Sequence, residues 1–255
     1  MKVIVCYKIV PEEANIEINQ DGSLSFANAE WKLSQYDLNA VEAAMQLVEA
    51  VGGSVTALTV GDQKIENSKL KKSILARGPE DLYLVKDERL KRADTHLTAA
   101  VLAAAVAYIG FDLVLCGEGS SDFYAQQVGI QLGELLQVPV INAVSKITPA
   151  GDRLIIERTL EDEIETLELS LPAVLAVTAD INVTRLPGMK EILAAGKKPV
   201  TEWDLHKIGI RHAGPRVEEV STLAPEQVAR KKILVEGDSE PKIAEFLDYI
   251  RKELK

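Results

Sequence analysis

Cysteine is nearly absent from this 255-residue chain: only Cys6 and Cys116 occur, too few for a disulfide framework or a thiolate metal site. Histidine is almost as scarce, and His96, His206 and His212 lie far apart with no metal-ligand spacing. Positive charge is in deficit. Lys and Arg number 29 against 39 Asp and Glu, a formal charge of −10, so nucleic acid and anionic membrane are poor partners. Long apolar runs are missing too. Leu97–Cys116 is interrupted by Gly110 and Asp112, whereas a membrane span needs about 20 consecutive apolar residues. That stretch reads as a buried helix followed by a buried strand. The opening residues MKVIVCYKIVPEE hold only a short apolar run without a small-residue cleavage site, so no signal peptide and a cytoplasmic location are expected.

Catalytic constellations are equally lacking. No Ser occupies a nucleophile-elbow pattern, no His has a carboxylate orienter close in sequence, and the P-loop spacing does not occur. Glu161, Asp162 and Glu163 are consecutive, so their side chains diverge, and they read as a solvated hairpin tip.

What the chain does have is alternation. With 47% hydrophobic and 27% charged residues it has the balance of a soluble globular protein, and its length suits one large domain or two modest ones. Val3–Tyr7, Ser54–Val60, Asp81–Val85 and Asp112–Cys116 are apolar runs of strand length. Between them lie helical patterns. Leu38, Val41, Met45 and Val48 recur at helical steps, with Glu42, Gln46 and Glu49 on the other side and Asp37 placed to cap the start. A second helix runs through Ile65, Leu70 and Leu75 to the stop at Arg77-Gly78-Pro79, a third spans Thr95–Ile109, and a fourth about Asp122–Leu136. Strands buried on both faces and separated by helices imply parallel pairing, hence an α/β, doubly wound, mainly parallel sheet.

The pattern changes after residue 150. Arg153–Leu160 and Ile164–Leu171 read as an added β-hairpin with one wet face, and Pro172–Thr178 as a return to a buried strand. From Asp180 onward loop signals mix with charges. The expected organisation is a domain over 1–215, including hairpin 153–171 and a loop at 181–198, followed by an extended C-terminal arm plus helix over 216–255. The last helix, about Pro241–Leu254, carries Ile243, Phe246, Leu247 and Ile250 on one side. Its own core is the first expected cover for that stripe, and a partner chain the second.

One segment points to a ligand. Cys116-Gly117-Glu118-Gly119-Ser120-Ser121-Asp122 follows the fourth strand and precedes a helix, and ligands of doubly wound sheets bind at the carboxyl ends of strands. A Gly- and Ser-rich turn exposes N–H groups there, and the helix dipole favours an anion such as phosphate. Gln126 and Gln127 could hydrogen-bond a phosphate, ribose or base. The alternative is a tight βα turn with Asp122 as a helix cap. Cys6-Tyr7-Lys8 and Tyr36-Asp37 should open on the same sheet edge, an arrangement that suits a nucleotide cleft, or Tyr36 is plain core packing.

The chain resembles the β subunit of electron transfer flavoproteins, especially the Fix A type. The resemblance rests on IERTLEDEIETL at 156–167 with LPAVLA at 171–176. VIVCYK near the start, SQYDLNAVEAA from Ser34, DLVLCG from Asp112, AQQVG from Ala125 and LPGMKEILAAGKKP from Leu186 support it. It implies an adenine-nucleotide-binding type of fold and a heterodimer with an α subunit, with one FAD held mainly by that partner. It also implies AMP or a second FAD in a pocket of this chain. The pocket would fall on Cys6, on Ser34–Asp37 with Tyr36 and Asp37, on Val60, and on Gly117–Val128, chiefly Gly117, Ser120, Ser121, Asp122, Gln126, Gln127 and Val128. Tyr36 matches an aromatic near the flavin, Arg158 a basic residue near the interface, and Leu186 with Pro187 and Met189 a loop that anchors partner dehydrogenases. Acyl-CoA-type dehydrogenases and quinone-directed oxidoreductases are the implied redox partners. The expected role is therefore an electron-carrying subunit without substrate turnover of its own. The rivals are a free-standing nucleotide-binding, stress-protein-like module or small nucleotide hydrolase, and a scaffold subunit with a decayed pocket.

Overall fold

Aliphatic strands buried on both faces build a nine-stranded sheet. The computed structural model of the chain describes residues 1–211, 214–226 and 231–254, so His212 lies outside the described residues. We label the strands of this sheet β1 (Lys2–Cys6), β2 (Ser54–Gly61), β3 (Asp81–Lys86), β4 (Leu113–Gly117), β5 (Val140–Ala150), β6 (Arg153–Thr159), β7 (Ile164–Ser170), β8 (Ala173–Val177) and β9 (Val200–Trp203). Their order is β7-β6-β5-β8-β4-β1-β2-β3-β9. Pairing is parallel from β5 through β8, β4, β1, β2 and β3 to β9, and antiparallel in β5-β6-β7. The expected α/β, doubly wound, mainly parallel sheet with an added hairpin is the fold observed.

Successive side chains of a strand point to opposite faces, and β1 shows how this divides the core. Val3 and Val5 join one apolar layer, Ile4 and Cys6 the other. The first layer is covered by α1 (Gln35–Val51) and α2 (Ser68–Leu75), the second by α3 (Thr95–Ile109) and α4 (Val128–Leu136). Chain direction reverses about β1: β2 and β3 are laid down on one side of it, then β4 on the other. That reversal between β1 and β4 leaves a crevice at the strands' carboxyl ends, the usual ligand position of such sheets.

The structure corrects several expectations. Asp37 does not cap α1: Ser34 holds the N-cap position, and the Asp37 carboxylate turns to the strand tips instead. Glu42 does not face solvent but is buried. The fourth helix begins at Val128, not Asp122, because Tyr124 and Gln126 adopt left-handed backbone (φ 46° and 54°) that no α-helix can contain. Periodicity assigns no element to Val140–Ala150, yet this is the longest strand. It pairs parallel with β8 along its first half and antiparallel with β6 along its second, with Ala143 at φ 54° and a register shift between. A strand half-buried and bent in this way shows neither a continuous apolar run nor clean alternation. The edge strand β9 and the short helix α5 (Met189–Ala195) also go unassigned, lying among the loop signals after Asp180.

The chain divides into two units, Met1–Glu17 with Ser25–Ser221, and Ile18–Leu24 with Thr222–Lys255. Within the second, Ser23 bridges Leu223, and the Ala224 amide donates to Gly22 O at 2.9 Å. This unit also contains α6 (Glu240–Glu253), a helix with no buried residue. Ile243, Phe246, Leu247 and Ile250 are exposed. No helix among the described residues is long and apolar enough to cross a membrane.

Candidate functional site

The crevice between β1 and β4 is closed at its floor by one carboxylate. Asp37, in the first turn of α1 and 6% exposed, accepts the Lys8 amide on Oδ2 at 2.8 Å and the Gly117 amide on Oδ1 at 3.0 Å. It thereby ties together the two strand tips where the sheet reverses. Burial pushes its carboxyl up to about 7, although the two amide donors oppose the shift. Gly117 permits the approach. A Cβ there would stand 2.5 Å from Tyr36 Cβ and 2.8 Å from the Asp37 carboxylate.

Above this floor the segment from Glu118 to Gln127 folds back on the strand tips. Lys8, just beyond β1, reaches across with its Nζ 2.6 and 2.7 Å from the two Asp122 oxygens and 3.4 Å from Ser120 Oγ. Ser120 and the Phe123 amide also donate to Asp122. Burial disfavours the Asp122 charge, but the Lys8 ammonium and these donors outweigh it and hold the carboxyl below the ordinary range. Ser121 serves α1 rather than standing free. Its Oγ accepts the Gln35 amide at 3.2 Å, and its own amide donates to Ser34 Oγ at 3.3 Å. The Tyr124 ring lies 5.2 Å from that of Tyr36, and its hydroxyl donates to Glu118 at 2.7 Å.

The turn is therefore not the open cradle of N–H groups that its glycines suggest. The amides of Gly117, Glu118, Ser121, Phe123 and Tyr124 all have protein acceptors. The free donors lie one step further along. At the start of α4 the N-cap Gln127 makes no side-chain cap bond, unlike Asp94 before α3 or Asn67 before α2. Gln127 Oε1 is instead taken by Thr95 Oγ1 at 2.8 Å, and Gln131 Oε1, one turn on, is buried without a partner. Uncapped first-turn amides with the helix dipole behind them form an anion site. Lys8 stands just beyond the tip of β1 and Tyr36 in the first turn of α1, while Ser120 and Tyr124 belong to the segment between β4 and α4. The residues present thus suit a phosphate with an attached ring system.

The remaining expected positions divide. Cys6 and Cys116 are buried free thiols, and burial pushes both up (Cys116 to about 12), so they are inert packing at the base of the crevice. Val60, at the end of β2, is partly buried against the α3–α4 layer. Gln126 and Gln127 are exposed and Val128 begins α4. Arg158 is not brought to the crevice. It lies on β6, three strands from β4, which at strand spacing is about 14 Å, and donates to Glu165 at 2.6 Å and Asn142 at 3.3 Å. Leu186 and Met189 are 87% and 73% exposed. Sequence reasoning missed Thr95, whose role at the start of α4 comes from a neighbour distant in the chain. No group of His, Cys, Asp and Glu among the described residues could hold a metal ion.

The family described as the electron transfer flavoprotein domain matches residues 23–208, well over half of the chain. The chain belongs to the electron transfer flavoprotein family. Its members carry electrons on a flavin, and the chemistry of such proteins resides in the cofactor while the chain supplies position and electrostatics. The match takes in α1, the β4–α4 segment, the hairpin and the segment leading to α5, which are the parts that build the crevice and the exposed apolar strap. Strand β1 with Cys6, and Lys8 just beyond it, precede the matched span, so within this electron transfer flavoprotein family member the crevice is completed by residues on both sides of the match boundary.

Proposed function

We propose that the chain is an electron transfer flavoprotein β subunit of the Fix A type. It pairs with an FAD-binding α subunit and relays electrons from a dehydrogenase, of the acyl-CoA type, to a quinone-directed acceptor. It turns over no substrate of its own and works in the cytoplasm. The observations that carry this reading are the uncapped start of α4 and, at the tips of β1 and β4 where the sheet reverses, the Lys8–Asp122 and Tyr36–Tyr124 contacts.

In this reading the crevice takes an adenine nucleotide, either AMP or the adenylate half of a second FAD. The α4 amides hold its phosphate, Lys8 neutralises it, and the tyrosines flank its ring. Bound flavin supplies one- and two-electron transfer. The chain's residues bind, orient and exclude water, which is why no general base is needed. Asp37 keeps the two crevice lips at fixed separation. The exposed stripe of α6 suits the α subunit as cover, and Leu186, Pro187 and Met189 suit a dehydrogenase, as an apolar anchor within a polar rim. Arg158, paired with Glu165, belongs to the subunit interface on the hairpin side.

Co-production of the chain with its α subunit tests this. The expected product is a yellow heterodimer, while the chain alone is nearly colourless. Denaturation and mass spectrometry then identify the released molecules: AMP for a simple carrier, two FAD for a bifurcating one. A colourless complex, or nucleotide turnover by the single chain, overturns the reading.

A further inference from the structure

The strap at 181–188, between β8 and α5, exposes Val183, Leu186 and, at its far end, Met189, yet its backbone is firmly held. Asn39 Nδ2 donates to Asn182 O at 2.9 Å and to its Oδ1 at 3.1 Å, and Asn182 Nδ2 returns a bond to Asn39 O at 3.0 Å. Arg185 donates to Glu42 from its amide (3.1 Å), Nε (2.7 Å) and Nη2 (3.1 Å), and to Glu49 from Nη1 at 2.8 Å. Gln46 completes the Glu42 set at 2.9 Å. Asn39, Glu42, Gln46 and Glu49 follow one another at steps of three and four along α1, which places them in a single stripe.

A carboxylate only 5% exposed is unfavourable unless its partners are complete. Burial disfavours the Glu42 charge, and the Arg185 bonds outweigh it, holding the carboxyl below the ordinary range. The helix thus commits a buried acid and a whole polar stripe to a strap that packs Ile181 against the core yet leaves Val183 and Leu186 exposed. Anchoring the backbone while leaving Leu186 and Met189 bare has no packing benefit for the chain itself. It does benefit a docking surface, because a segment ordered in advance avoids an entropic loss on association.

We propose that Asn39, Glu42, Glu49, Asn182 and Arg185 are positioning residues that keep the strap preformed for docking of a partner dehydrogenase. This rests on the reading of Leu186 and Met189 as the dehydrogenase anchor. Pre-organisation acts on association and not on the redox step, so its signature is a raised KM for the flavoprotein with kcat and flavin potential unchanged.

The test uses the flavin-loaded heterodimer and the purified short-, medium- or long-chain acyl-CoA dehydrogenase that reduces the wild type fastest. Glu42→Gln and Arg185→Lys are each expected to raise KM roughly five- to tenfold, with amide exchange of residues 181–188 accelerated at least about tenfold. Leu186→Ala is expected to raise KM without changing that exchange. If Leu186→Ala raises KM but the Glu42 and Arg185 variants exchange faster at unchanged KM, or leave exchange unchanged, the inference falls while the docking reading stands. Unchanged KM in Leu186→Ala, or no reduction of the wild type by any member of the series, overturns the docking reading and the inference with it. Arg185→Lys keeps the charge and loses only the planar fork, so it reports on positioning even where Glu42→Gln folds poorly.

Discussion

Lys8 and Asp122 form a close ion pair across the sheet's reversal point, with the Lys8 ammonium 2.6 Å from one Asp122 oxygen and 2.7 Å from the other. The lysine comes from the tip of β1 and the aspartate from the segment after β4, so the two lips of the crevice meet through a cation.

Replacing Lys8 should therefore weaken nucleotide binding. Lys8→Met is expected to lower affinity for AMP about tenfold and to flatten its dependence on ionic strength, since one charge partner is lost. Titration calorimetry of the full chain with AMP at two salt concentrations checks this. Equal affinity in the variant would remove Lys8 from the site.

Asp37 should impose a pH dependence on stability. Its folded value of about 7 lies above the ordinary carboxylate value. Between roughly pH 4 and pH 7 the folded chain holds a proton that the unfolded chain has released. The stability this contributes is full below about pH 4, shrinks as the pH rises, and is lost above about pH 7. Between pH 5 and pH 8 the wild type should thus lose on the order of 2 kcal/mol relative to Asp37→Asn, which has no titrating group there. Urea unfolding of both across that range decides the point; parallel pH profiles contradict it.

Gly117 should tolerate no side chain. Gly117→Ala places a Cβ 2.5 Å from Tyr36 Cβ and 2.8 Å from the Asp37 carboxylate, and so spreads the contact that binds the strand tips. A loss of about 1–3 kcal/mol is expected, with a lower thermal midpoint. Gly151→Ala is the control: its φ of 68° carries strain but nothing lies within 4 Å, so the clash component is absent.

Removal of α6 should separate folding from assembly. Its residues are all exposed. A chain ending at Ser239 is expected to keep the melting temperature of the sheet unit within a few degrees yet fail to form the heterodimer, as read by size exclusion with the α subunit. A dimer of normal stability would show that the apolar stripe has another use.

The helices and central strands were the legible part. Thr95–Ile109 and Ser54–Gly61 stand within a residue of expectation, because each is a largely apolar run bounded by turn signals. The crevice was legible only in location. The βα turn after Cys116 signals a ligand position through its glycines, but the amides there are consumed by Asp37, Ser34 and Asp122, none of which announces that role locally. The start of α4 was misplaced by six residues because left-handed backbone at Tyr124 and Gln126 has no sequence signature when the residue is not glycine. Glu42 was assigned to solvent because its partner Arg185 is 143 positions away.

By itself the amino-acid sequence determined the class of this protein: an acidic, cysteine-poor α/β chain with a motif set of the electron transfer flavoprotein family and no catalytic constellation. The class follows from composition and short-range periodicity and the family from the resemblance of its motifs, all of which the chain carries whether folded or not. Tertiary structure alone decided which donors remain free, which carboxylates are buried and which apolar side chains stay bare. Each of those depends on who meets whom across the sheet, and hydrogen-bond satisfaction and burial are properties of such long-range encounters.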